Sequence, residues 1–122
     1  MTNFPNTTRS TEQLNLNLEA QRIGYALPTT ATAYKKGDLL ALSDTGVLTH
    51  ATDEKTWDVI CERDISAAEA TAMVAKGTKT PIYFGGDFNI KYVSLNGTKL
   101  ATNKYAAAQA KAIKNRIKLL EA

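Results

Sequence analysis

The sequence predicts a small, mainly β domain of the α+β class, with one or two short helices, behind a flexible N-terminal arm. Three observations carry this. Lys36–Leu40, Val59–Asp64 and Pro81–Asn89 are short runs rich in apolar residues, separated by turn-formers. The first 33 residues are rich in Thr and Asn and poor in large apolar side chains, so they bury too little to offset their ordering entropy. The 122 residues suffice for one core and are too few for two. The expected division is an arm over residues 1–33 and a β-rich domain over 34–122.

Within the arm, Leu14, Leu16 and Leu18 alternate with Asn15, Asn17 and Glu19, the period of a strand with one apolar face. Such a strand is either an edge of this domain or a segment that pairs with another chain. Leu14, Asn15, Leu16, Asn17 and Leu18 are therefore the candidate partner-binding residues.

From Lys36 the elements are more regular. Asp38–Leu42 reads as a strand, Ser43-Asp44-Thr45-Gly46 as a turn, and Val47–His50 as the hairpin partner. Trp57–Ile65 reads as a longer strand, with Trp57, Val59, Cys61 and Arg63 on one face. Ser66 and Glu69 have capping-box spacing, which starts a helix over Ala67–Lys76, and Gly77 suits the left-handed position after it. Thr80–Phe84 is a strand, Gly85-Gly86 a bulge or sharp turn, and Phe88–Leu95 a further strand. Asn96-Gly97 closes a hairpin onto Thr98–Ala101. A last helix begins near Thr102 or Asn103, with Ala106, Ala110, Ile113, Ile117 and Leu120 as a core-facing stripe. A competing pattern ends that helix at Asn115 and leaves Arg116–Leu119 as a strand.

The chemistry-bearing residues are few. His50 is the only histidine and Cys61 the only cysteine, so no His-based triad, disulfide framework or Cys-based zinc site is available. Cys61, between Ile60 and Glu62, reads as a buried inert thiol and His50 as a surface residue at a hairpin end. Gly85-Gly86 lacks the strand-to-helix context of a phosphate loop. The expectation is a non-enzyme with no catalytic, metal or cofactor residues.

Charge is uneven. Residues 1–87 carry eight basic and eleven acidic residues, and 88–122 carry seven basic residues against Glu121 alone. A basic tail attracts phosphate or acidic protein surfaces, or is simply the wet face of a helix. The basic residues are not interleaved with aromatics as in a single-strand platform, so no direct nucleic-acid binding is expected. No apolar stretch reaches membrane-helix length and no signal-peptide pattern opens the chain, so no membrane partner is expected and the product is expected to be made in a cytoplasm.

The order of several runs resembles the head decoration proteins of tailed bacteriophages. Lys36-Gly37-Asp38-Leu39-Leu40 resembles the opening strand of that family. Asp58–Ile65 resembles its aliphatic-acidic strand, and Tyr83-Phe84-Gly85-Gly86-Asp87-Phe88-Asn89 its strand–Gly–strand passage. Ala110–Leu120 resembles its closing helix and short strand, with Asn115 or Arg116 where Gly is common in the family. The resemblance covers roughly residues 33–120. It implies a β-barrel-like, or β-tulip, domain forming homotrimers on three-fold and quasi-three-fold positions of the expanded head. There it would cement the capsid outer surface against packaged-DNA pressure, with the arm adding a strand to the major capsid protein. The alternatives are another trimeric phage module, such as a fibre base, and a small basic single-strand-binding barrel.

Overall fold

In the computed structural model, which describes residues 13–122, the order is β1 (Arg22–Ala26), β2 (Leu39–Leu42), β3 (Leu48–His50), β4 (Val59–Cys61), α1 (Ala67–Lys76), β5 (Thr80–Asn89), β6 (Ser94–Leu95), β7 (Thr98–Lys99), α2 (Tyr105–Lys114) and β8 (Ile117–Leu120). The main sheet runs β1-β5-β4-β2-β3, with β8 added in parallel to the C-terminal half of β5, and β6-β7 form a separate hairpin. The α+β class therefore stands, but the sheet does not close into a barrel among the described residues. Its two edges are linked at one end by a single bridge between Leu27 and Val47, and β2, β3 and β4 are too short to extend that closure.

The sheet is buried on both faces. Leu39, Ile60, Tyr83 and Phe88 belong to one apolar cluster with Trp57, Ile90 and the α2 residues Ala108 and Ala112. Leu40, Val59, Cys61 and Ile82 belong to a second, with Tyr34, Leu48 and the α1 residues Ala70 and Met73. Alternate residues of β2, β4 and β5 point into different cores, which is why those strands read as continuous apolar runs. Trp57 precedes β4 and packs with Ile60, away from Val59 and Cys61, so the single long strand expected over Trp57–Ile65 is not formed.

β5 is the spine. It passes straight through Gly85-Gly86 without a turn. Its register against β1 skips from Ile23↔Tyr83 to Arg22↔Gly85, so Phe84 is the extra residue of a bulge. Beyond the bulge the faces exchange. Tyr83 and Phe88, five apart, lie on the same side with ring centroids 5.0 Å apart, which an unbroken strand forbids.

The local signals of α1 are realised. The Ser66 hydroxyl accepts from Glu69 N–H at 3.0 Å, the Ser66 N–H donates to the Glu69 carboxylate at 2.9 Å, and Gly77 ends the helix at φ 68°. Asn96 and Gly97, at φ 49° and 83°, form the β6-β7 turn. α2 differs from expectation. A 3-10 turn at Thr102–Lys104 precedes it without a side-chain cap, Ala108 and Ala112 face the core, and Ile113 is 74% exposed. The helix stops at Asn115, Arg116 takes φ 63°, and β8 follows, so the competing pattern is the one adopted.

Candidate partner-binding surface

The expected boundary at residue 33 does not separate an arm from a domain in the described residues. β1 lies in the main sheet, and the stretch before it continues along the same side of β5. Leu16 N–H donates to Asp87 O at 3.0 Å, and Asn89 N–H donates to Leu14 O at 2.8 Å, around an antiparallel bridge between Asn15 and Phe88. Residues 1–12 of the expected arm lie outside the described residues.

The candidate residues 14–18 do not share one apolar face. Leu14 is 6% exposed and packs in the core cluster with Phe88, Leu16 is half-buried, and Leu18 is 66% exposed. The strand alternation survives for only two backbone bonds. Thereafter the chain turns, with Ala20 N–H donating to Asn17 O and Glu19 N–H to the Asn17 side chain. Asn15 is nearly buried and its Nδ2 donates to Gln21 Oε1 at 2.8 Å. Leu14 and Asn15 are thus built into the domain, Leu16 is half-buried, and Asn17 and Leu18 remain on its surface.

Two exposed apolar surfaces were not legible in the sequence. One carries Ile23 and Tyr25, which share a face of the edge strand β1; Leu18, before that strand, is also exposed. The other is a groove in which apolar residues sit beside Asp44 and Asp58. Leu42 and Phe84 line this open groove of about 540 Å³ with Val59, and Lys114, Asn115 and Arg116 line it too. The bulge exposes Phe84, and Gly24 makes room for its ring: a Cβ there would stand 3.2 Å from it. Arg116 also lines an adjoining groove with Arg22, Ile113 and Lys118. A non-glycine residue in the left-handed region costs about 1 kcal/mol, so holding an arginine at this corner works against stability.

The titratable interior is structural in arrangement. Buried Asp38 accepts from Lys35 N–H at 2.9 Å and from Gly97 N–H at 3.0 Å, tying the chain entering β2 to the β6-β7 turn. His50 is not a free surface residue. Its Nε2 donates to Ala33 O at 2.7 Å, its ring stacks on Tyr34 at 4.9 Å, and its Nδ1 stands 3.7 Å from Asp38. Cys61 is fully buried, donates its S–H to Arg63 O at 3.0 Å, and burial pushes its thiol up to about 12. No group of three or more His, Cys, Asp or Glu side chains able to hold a metal occurs among the described residues. No described helix is long and apolar enough to cross a membrane. No family model matches this chain, and no curated protein matches it.

Proposed function

We propose that this protein is a non-enzymatic cementing module that decorates the outer surface of an expanded phage head as homotrimers at three-fold and quasi-three-fold sites. One observation carries the reading. The four stretches that resemble the decoration family fold into β2, β4, β5 and the α2–β8 unit, elements of one sheet and the helix packed on it. A decoration trimer needs surfaces for its own copies and for the shell. Two exposed apolar patches, Ile23–Tyr25 on the edge strand and Leu42–Phe84 in the groove, suit that double demand. The major capsid protein is the partner this reading requires, and the virion its location.

The strand-addition element of the reading changes in form. Leu14 anchors the segment on its own domain, so capture of the capsid protein falls to residues outside that anchor, such as Leu18 and the chain before residue 13. Co-sedimentation with DNA-filled capsids of the encoding phage tests the proposal. Saturable binding with three copies per three-fold site supports it, and a protein that stays in the supernatant refutes it. Retention on single-stranded DNA in place of capsids would favour the small nucleic-acid-binding barrel.

A further inference from the structure

Beside the anchored segment, a cleft of about 490 Å³ opens between Lys36, Lys99 and Tyr92 on its walls and Asn15, Gln21 and Tyr83 deeper in. Among the described residues it is lined by two lysines and no carboxylate. Among the described residues neither lysine forms an ion pair, while Lys104 and Lys111 both do. The Lys99 ammonium sits 4.7 Å above the Tyr92 ring, which holds it on the cleft wall without neutralising it.

The amides point the same way. Asn15 is 9% exposed, and its Nδ2 uses one proton on Gln21 Oε1. Among the described residues no acceptor takes its second proton or the Gln21 NH2 group, which leaves them as donors beside the two ammonium groups. Burial raises the Tyr83 phenol above its ordinary range, so it stays neutral and adds no competing charge. Glu62 is close enough for its charge to act on Tyr83 but does not line the cleft.

We propose that this cleft receives an acidic extended segment of a partner protein, with its carboxylates held between Lys36 and Lys99 against the Asn15 and Gln21 amides. The surplus of donors and cations calls for a ligand that brings acceptors and negative charge. The cleft is too large and open for a lone small anion, and exposed Leu18 on its lining supplies an apolar contact beside the charges. A nucleic acid would also bring acceptors, but Lys99 lies over one face of the half-buried Tyr92 and Tyr83 is buried, so the cleft does not present a row of exposed rings for stacked bases. The inference rests on the reading of the chain as a partner-binding module, not on the partner being a capsid protein.

The test is titration of the full chain with an all-glutamate octapeptide, followed by side-chain amide NMR and fluorescence anisotropy. The Asn15 and Gln21 amide signals should move, and binding should weaken with salt. The K36E/K99E variant, altered only at exposed positions, should bind about tenfold more weakly. The proposal is overturned if those amide signals stay fixed, if the variant binds equally well, if an all-glutamine octapeptide binds equally well, or if oligo-dT binds more tightly. Capsid sedimentation separates this inference from the function proposed above. If wild type and K36E/K99E both sediment, decoration stands, and if neither sediments, decoration falls; in either case the peptide titration alone decides the cleft.

Discussion

Replacing Leu14 with alanine distinguishes an anchored segment from a free arm. Leu14 is 6% exposed in a cluster with Tyr83, Phe88 and Ile117, so truncation removes most of a buried leucine side chain. Such a change costs about 2–5 kcal/mol in a rigid core. Here the loss has a ceiling, because the segment can detach once its anchor is gone. It is held by the leucine, about 1.5–3 kcal/mol of burial, and by the two backbone bonds to β5, about 1 kcal/mol each. That sets the ceiling at about 3.5–5 kcal/mol, so the expected loss is about 2–4 kcal/mol, or roughly 10–15 °C in melting temperature for a domain of this size. Leu18→Ala is the control. At 66% exposure it should stay within about 0.5 kcal/mol of wild type. Urea unfolding reads both: the Leu14 variant should lower the midpoint, and a reduced slope would show the segment already detached in the native state. Equal, near-neutral effects at Leu14 and Leu18 would refute the anchoring. By the same reasoning, deletion of residues 1–20 should destabilise the isolated domain and not merely weaken partner binding.

Gly37→Ala should be severely destabilising, by about 3 kcal/mol or more, because φ is 95° and the new Cβ would lie 2.3 Å from Tyr92 O; calorimetry or failure of soluble expression reads it. Arg116→Gly should stabilise by about 0.5–1 kcal/mol by relieving the left-handed backbone at φ 63°, measured as a raised urea midpoint. Ser66→Ala should cost about 1 kcal/mol through loss of the α1 cap. The Ser66 N–H, and then its hydroxyl, hold the Glu69 carboxyl below its ordinary value, so its stabilising contribution is present above about pH 4.5 and is lost as pH falls through the lowered folded value. Urea midpoints against pH should therefore decline less steeply on acidification in Ser66→Ala than in wild type. Asp53, lowered chiefly by the Lys55 N–H, keeps part of the decline in both proteins. Cys61 should resist thiol reagents at pH 8 in the folded protein and react at once in denaturant, since burial is what pushes its thiol up to about 12.

What could be read from the chain was what neighbouring residues decide among themselves. Helix α1 matches its expected bounds, because Ser66, Glu69 and Gly77 exchange their hydrogen bonds within that one stretch of chain. The Asn96-Gly97 turn is equally local, and the apolar runs of β2, β4 and β5 carry enough β-forming residues to identify themselves as strands. What spacing alone could not decide was which distant surface each element meets. α2 turns Ala108 and Ala112 to the core, while the larger Ile113 faces outward and Ile117 enters the core from β8. An alanine-rich helix carries little hydrophobic contrast to reveal that face. Residues 14–18 looked like an unpartnered strand because their partner, Asp87–Asn89, lies some 70 positions along the chain. The lysine cleft joins Lys36, Lys99 and the 13–21 segment, which meet only after β5 has paired with β1 and the β6-β7 hairpin has folded back. The sequence by itself determined the local elements and limited the chain to one histidine and one cysteine; tertiary pairing, which spends burial and backbone bonds between remote segments, decided the anchor, the exposed faces and the cleft.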